Sequence, residues 1–196
     1  MATRIHPTSE VSDKAEIGDG TQIWMHNQIR PGVRIGKGCV FGKNIYVDSD
    51  VTIGNNVKIQ NNVSVYTGVT LEDGVFCGPS CVFTNDKVPR AVNPDMSIKG
   101  LEDWTITKTL VKAGAAIGAN AVVVCGITIG RWAMIGSGAV VTKDIPDHGL
   151  VVGNPARRIG WVCSCGLRVA IDEKTSKGTC SCGRTLVQDG DVVRHP

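Results

Sequence analysis

The chain has 196 residues, a net charge of +3, 42% hydrophobic residues, 24 glycines and eight cysteines. That length allows one solid domain and a small appendage. No run is apolar enough to span a membrane. Residues 1–156 balance 14 Lys or Arg against 14 Asp or Glu, and the excess lies in residues 157–196, seven basic against four acidic. So small and interspersed an excess excludes a nucleic-acid stripe. Neither nucleic acid nor a membrane is expected as a partner. The opening Met-Ala-Thr-Arg-Ile-His leads straight into the first repeat, without the pattern of a signal peptide, so the expected location is cytoplasmic.

An aliphatic or aromatic residue, once a cysteine, recurs every six residues from Ile5 through Ile23, Phe41, Ile59 and Cys77 to Phe83, and again from Val111 to Val141. The fifth position of each hexad is small or β-branched, as in Thr21, Val33, Cys39, Val57, Ala115, Ala121 and Ala133. The middle positions are rich in Gly, Asn and Asp, which tolerate left-handed backbone angles and mark turns. Each unit therefore reads as a short strand and a tight corner. Six residues are too few for an amphipathic helix, and sandwich strands do not hold a strict six-residue phase. Three units close a triangular coil of about eighteen residues, and coils stack at roughly 4.7–4.9 Å. The fold class expected is all-β, a parallel β-helix. Its pattern resembles the hexapeptide-repeat left-handed β-helix, and the hand of the coil comes from that resemblance. Cys39, Cys77, Cys81 and Cys125 fall at or near repeat positions and read as small buried residues.

The interval from Phe83 to Val111 is 28 residues, which is not a multiple of six. Residues 84–108 therefore leave the coil as a loop with two prolines. Loops of this length in compact repeats are usually functional or disordered. Met96, Leu101 and Trp104 argue that it docks on something. Flat-sided prisms also suit side-by-side packing, and a closed homotrimer would form three equivalent grooves.

The segments Ile-Gln-Asn-Asn-Val-Ser-Val-Tyr (59–66), Leu-Glu-Asp-Gly-Val-Phe-Cys-Gly-Pro-Ser (71–80), Phe-Thr-Asn-Asp (83–86) with Pro-Arg (89–90), Thr-Leu-Val-Lys-Ala-Gly-Ala-Ala-Ile-Gly-Ala-Asn (109–120) and Val-Val-Gly-Asn-Pro-Ala-Arg-Arg-Ile-Gly-Trp (151–161) carry a more specific resemblance. Together they resemble the acetyl-CoA-dependent N-acetyltransferases of nucleotide-linked 3-amino sugars. Similar enzymes act on UDP-2-acetamido-3-amino-2,3-dideoxy-glucuronate and on dTDP-3-amino-3,6-dideoxyhexoses, on the way to surface polysaccharides. The resemblance runs over residues 3–162. It implies a homotrimer, acetyl-CoA in the groove between subunits, and a UDP- or dTDP-linked amino sugar whose amine attacks the thioester.

A neutral amine needs positioning more than deprotonation, and the developing oxyanion needs hydrogen-bond donors. The resemblance puts Asn85 in the role of orienting amine and intermediate, with Asp86 as a possible proton acceptor. A structural cap at the start of the loop is the alternative for both, because Asn and Asp favour turns. Arg90 suits a sugar carboxylate or diphosphate, or is a solvated loop charge. Gln60, Asn62 and Tyr66 lie near one corner stack as candidate sugar contacts. Asn61 and Asn62 also read as stacked corner residues. For the coenzyme the resemblance implies the late coils and the segment after them, namely Lys112, Ala115, Ala133, Lys143, Asn154, Arg157 and Arg158, with backbone amides holding the pantetheine. His26 is the histidine well inside the coil and the alternative base, although Met25 separates it from Trp24 where the family often places His directly after Trp. A three-histidine metal enzyme is excluded, since His6, His26, His148 and His195 lack ligand spacing. A non-catalytic scaffold holding a partner protein is the competing class.

Residues 157–196 form a separate unit after the 1–156 β-helix domain. Cys163-Ser-Cys165-Gly and Cys180-Ser-Cys182-Gly are near-identical knuckles. Four thiolates around a structural Zn²⁺ would fold a segment with little apolar material of its own. The single intervening residue is tight for such a knuckle. A metal-free ribbon is the alternative, and two disulfides do not suit the cytosol.

Overall fold

Each hexad forms a two- or three-residue strand that ends on the six-residue beat, from Arg4–Ile5, Glu10–Val11 and Glu16–Ile17 through Val140–Val141. The computed structural model describes residues 2–196; Met1 and the side chain of Leu101 lie outside the described residues. Strands pair in parallel with those one coil away, so that Ile5 lies against Ile23, Ile23 against Phe41, and Phe41 against Ile59. Three sheets result. The first face starts at Arg4–Ile5, the second at Glu10–Val11 and the third at Glu16–Ile17, and the solenoid runs for about eight turns.

The beat residues fill the interior. Phe41, Val47, Ile59, Cys77, Ile117, Ile129 and Val141 are fully buried, with Val33, Val57, Ala121 and Ala139 from the fifth positions. Cys39, Cys81 and Cys125 are buried too. Ile5 is 42% exposed, and Val11 and Ile17 are only partly covered. The first coil has a neighbour on one side only, so a rule that buries each beat residue by stacking fails at that end.

Two corner devices hold the coils at close approach. Gly36 has no room for a side chain, since a Cβ there would lie 2.6 Å from the carbonyl carbon of Gly54 and 2.7 Å from the Asn55 nitrogen. Asn27 is buried and ties the backbone of two adjacent coils at three points. Its Nδ2 donates to Trp24 O and Gly42 O, both at 2.8 Å, and its Oδ1 accepts from Ile45 N at 2.7 Å.

Phase is lost twice. Leu71 pairs with Val111, 40 residues on rather than 18, so the loop adds 22 residues and returns the chain to the same face. No ladder strand lies between Val82–Phe83 and Thr109–Val111; a short hairpin bridging Val92 and Ile98 and a 3₁₀ turn at Leu101–Asp103 occupy the interval. After Val141 the spacing shortens, and Ile135 pairs with Val151. Gly149–Val152 then pairs antiparallel with Arg157–Val162, which pairs with Arg168–Val169. A three-stranded antiparallel sheet of Lys177–Thr179, Thr185–Asp189 and Val192–Arg194 follows. A second small core of Trp161, Cys163, Val169, Cys180, Leu186 and Val193 lies there. Among the described residues no helix is long and apolar enough to cross a membrane.

Candidate functional site

An eighteen-residue coil stacks residue n on n + 18, so corner residues form columns along the prism. The corner between the second and third faces stacks Asp48 and Ser49 under Tyr66 and Thr67, and these under Thr84 and Asn85. Thr67 Oγ1 donates to Ser49 O at 2.9 Å, and its amide donates to Asp48 Oδ2 at 3.3 Å. The Tyr46 hydroxyl donates to Asp48 Oδ1 at 2.9 Å, and the Tyr46 and Tyr66 rings lie 5.9 Å apart at 57°. Burial alone would push the Asp48 carboxyl up, but hydrogen bonds from the Ser49 amide, the Tyr46 hydroxyl and Thr67 outweigh it and hold it below the usual carboxylate value.

Asn85 sits on this column at the neck of the loop. Its carbonyl accepts from the Thr107 amide at 2.9 Å, closing the neck, and its Nδ2 donates to Thr67 O at 3.3 Å. Among the described residues that is its one side-chain hydrogen bond, which leaves Oδ1 free. Asp86 accepts the Val88 amide at 2.8 Å, a local turn bond. It also walls a cavity of about 570 Å³ with Pro89, Arg90, Ala91, Lys99, Gly100 and Trp104. Arg90 donates to Pro89 O at 2.9 Å, and neither Arg90 nor Lys99 has a carboxylate within salt-bridge distance among the described residues. Met96 is 75% exposed, so most of its surface faces solvent rather than the rest of the chain.

The sugar contacts expected from one corner stack divide between two. Tyr66 stands on the Asn85 column. Gln60, Asn62 and His26 stand on the corner between the first and second faces, because each follows a first-face strand. There His26, Asn44 and Asn62 share left-handed backbone angles of 59°, 56° and 61°, and Asn44 Nδ2 donates to Asn62 Oδ1 at 3.1 Å. Asn62 thus has the stacked-corner role. Gln60 lines a cleft of about 330 Å³ with Trp24, Met25 and Lys43. One chain does not bring His26 or Gln60 to Asn85.

Two of the expected coenzyme contacts lie inside the coil. Ala115 and Ala133 are fully buried. Their amides donate to Lys112 O and Gly130 O, and their carbonyls accept from Phe76 and Ala116. Both side chains face the core, and each backbone amide and carbonyl already has one partner within the chain. The basic candidates do gather. Lys112 and Arg158 line a cavity of about 520 Å³ with Asp144, Asp147 and Asp191, and Lys143, Arg157 and Arg158 line an adjoining one of about 280 Å³. Arg158 pairs with Asp191 at 3.3 Å and lies over the Trp161 ring at 4.3 Å. Asn154 is exposed in the turn before Arg157–Val162 and lines neither cavity.

In the tail the four Sγ atoms of Cys163, Cys165, Cys180 and Cys182 lie within 4.8 Å of one another. The Arg184 amide, and then the Cys180 thiol, push the Cys182 thiol down to about 6. Lys99, Thr67 and Asp48 went unnoticed in the sequence. Thr67 was accessible there, since 49, 67 and 85 share a phase eighteen residues apart, and Asp48 sits one residue before that phase.

The family described as bacterial transferase hexapeptide (six repeats) matches residues 14–44 and 108–143, and the hexapeptide repeat of succinyl-transferase matches residues 32–67. The matched segments carry hexapeptide repeats. It is 45% identical over 86 residues to dTDP-3-amino-3,6-dideoxy-alpha-D-galactopyranose 3-N-acetyltransferase of Aneurinibacillus thermoaerophilus, covering 44% of each chain. Over 49 residues it is 47% identical to serine acetyltransferase 4 of Arabidopsis thaliana, 25% of this chain and 14% of that one. The chain thus spans less than half the length of these curated relatives. Among solved structures, GDP-perosamine N-acetyl transferase from Caulobacter crescentus, in complex with CoA and GDP-perosamine, superposes with a TM-score of 0.52 at 24% identity, over 82% of this chain and 57% of that one. The acetyltransferase domain of PglB from Neisseria gonorrhoeae, in complex with acetyl coenzyme A, gives 0.51 at 22%, over 80% and 57%. These likenesses carry the fold.

Proposed function

We propose that this protein is an acetyl-CoA-dependent N-acetyltransferase acting on the 3-amino group of a UDP- or dTDP-linked sugar, for surface polysaccharide biosynthesis. The observation that carries the reading is Asn85. An amide stands at the neck of the loop with its Oδ1 unpaired, within a chain 45% identical over 86 residues to a dTDP-3-amino-sugar N-acetyltransferase. Oδ1 accepts a hydrogen from the sugar amine and turns its lone pair to the thioester carbonyl. The C–N bond forms, the tetrahedral intermediate collapses, the C–S bond breaks, and the departing thiolate takes the surplus amine proton. Arg90 and Lys99, on the loop cavity, supply charge for a diphosphate or sugar carboxylate. Lys112, Lys143, Arg157 and Arg158 do so for the phosphates of the coenzyme.

The division of candidates between two corners supports a homotrimer, in which one chain's Asn85 corner faces another's Gln60 and His26 corner across a groove. In this reading the coil is left-handed, residues 1–156 are the catalytic domain with 84–108 as its extruded loop, residues 157–196 are an appendage carrying a structural Zn²⁺, and the enzyme is cytoplasmic. The test is thiol release from acetyl-CoA with a panel of UDP- and dTDP-linked 3-amino sugars. Release with at least one supports the reading. Silence across the panel from a chain that binds no CoA would return the protein to the scaffold class.

A further inference from the structure

The tail has chemistry that acetyl transfer does not use. Its knuckles repeat the same backbone. The Cys163 amide donates to Leu167 O at 2.9 Å and the Gly166 amide to Cys163 O at 2.8 Å; the Cys180 amide donates to Arg184 O and the Gly183 amide to Cys180 O, both at 2.8 Å. Gly166 and Gly183 take φ of 89° and 87°, a left-handed turn that favours glycine after each pair. The two turns face each other. Cys163 Sγ lies 3.6 Å from Cys182 Sγ, and Cys165 Sγ lies 3.6 Å from Cys180 Sγ. Zn–S bonds of about 2.3 Å in a tetrahedron require sulfur–sulfur edges of about 3.8 Å. A disulfide requires about 2.05 Å. The single serine between the cysteines therefore does not prevent four-fold ligation.

We propose that Cys163, Cys165, Cys180 and Cys182 close around one Zn²⁺, and that this ion folds residues 163–196 into a cap on the last coil of the solenoid. This goes beyond the acyl transfer proposed above and takes from that reading only the metal. The donor set is all sulfur and complete, so the ion has no open position and no catalytic role. The segment needs it, because its buried residues are few and two of them are ligands: Val169, Leu186 and Val193, with Cys163 and Cys180, packed on Trp161 just before it.

The cap is joined to the coil at two places. His148, buried in the last corner, is hydrogen-bonded through Nδ1 to Val162 O at 2.8 Å and meets the His195 ring edge-on at 5.2 Å. His195 Nε2 is in turn 3.2 Å from Ser164 Oγ, inside the first knuckle. On the other side Arg158 bridges Trp161 and Asp191. Both routes run through residues next to the ligands or packed on them, so the metal holds the docking surface as well as the ribbon.

The test uses the full chain. Elemental analysis is expected to find one zinc per chain, with an intact mass showing no disulfide. Cobalt substitution is expected to give the intense sulfur-to-metal charge-transfer absorption of a tetrathiolate. Removing the metal with a mercurial and a chelator is expected to abolish hydrogen-exchange protection in residues 163–196 while residues 33–83 keep theirs. The C180S/C182S double variant is expected to lose the metal; should it aggregate, the cobalt and exchange measurements on the unaltered chain decide. Two disulfides, iron in place of zinc, or four free thiols in a protected, metal-free tail would each overturn the proposal. So would a tail that stays protected after metal removal. A metal-bound, protected tail in a chain inert toward acetyl-CoA would remove the enzyme reading and leave this one standing.

Discussion

Replacing Asn85 with alanine separates a catalytic amide from a structural cap. Among the described residues its side chain makes one hydrogen bond, to Thr67 O at 3.3 Å, the long end of the range. Losing such a bond costs about 0.5–1.5 kcal/mol. For a chain of this size that lowers the melting temperature by about 1–6 °C. If Oδ1 orients the amine, the same change cuts kcat more than tenfold, or about 1.4 kcal/mol in the barrier, with little change in the KM for acetyl-CoA. Asn55→Ala is the matched control. Asn55 is also a corner amide, accepting the Lys37 amide at 2.9 Å and donating to Asp73, and it stands on a different column. It is expected to lose comparable stability and keep its turnover. Steady-state thiol release and differential scanning calorimetry on both variants give the comparison. Full activity in Asn85→Ala, or an activity loss matched by Asn55→Ala, would refute the assignment and make Asn85 a cap.

Gly36→Ala places a methyl group against the Gly54 carbonyl of the next coil and is expected to cost about 1–3 kcal/mol in urea unfolding; an unchanged midpoint would mean that coils separate freely. Asn27→Leu leaves the buried Ile45 amide without its acceptor and Gly42 O without its donor, and is expected to cost about 2–4 kcal/mol by the same measurement. The Asp48 carboxyl titrates below its unfolded value of 3.8. Its contribution to stability is therefore whole above 3.8 and is lost as pH falls through the lower folded value. Asp48→Asn is expected to flatten the acid limb of the stability–pH curve, and an unchanged limb would exclude it as a source of acid lability. Sedimentation equilibrium is expected to return a trimer; a monomer that still turns over substrate would remove the intersubunit groove.

Much of the fold was legible because one chemical rule is repeated. A buried residue every six positions fixes strand, corner and coil length together, and the break after Phe83 is visible as lost phase. The rule failed where its premise failed. Ile5 has no coil on its outer side and stays exposed. The site was less legible. Asn85 and Asp86 stand out as a motif, but Gln60, Asn62 and Tyr66 are close in sequence and turn to different corners, since six residues carry the chain around one edge of the prism. Ala115 and Ala133 carry a position that the repeat uses for packing, and the motif does not show that their amides close their own corners while their carbonyls bond the neighbouring coil. Thr67 sits in register with Asn85, with Asp48 one residue before that register, which the eighteen-residue phase contains and the motif does not.

A crystal structure of the chain with CoA and a nucleotide-linked 3-amino sugar tests the central claim directly. The sugar nitrogen is predicted within about 2.7–3.2 Å of Asn85 Oδ1, facing the CoA sulfur across a groove whose other wall is a second chain. Both ligands held on one chain alone, or an amine lodged away from Asn85, would contradict the account.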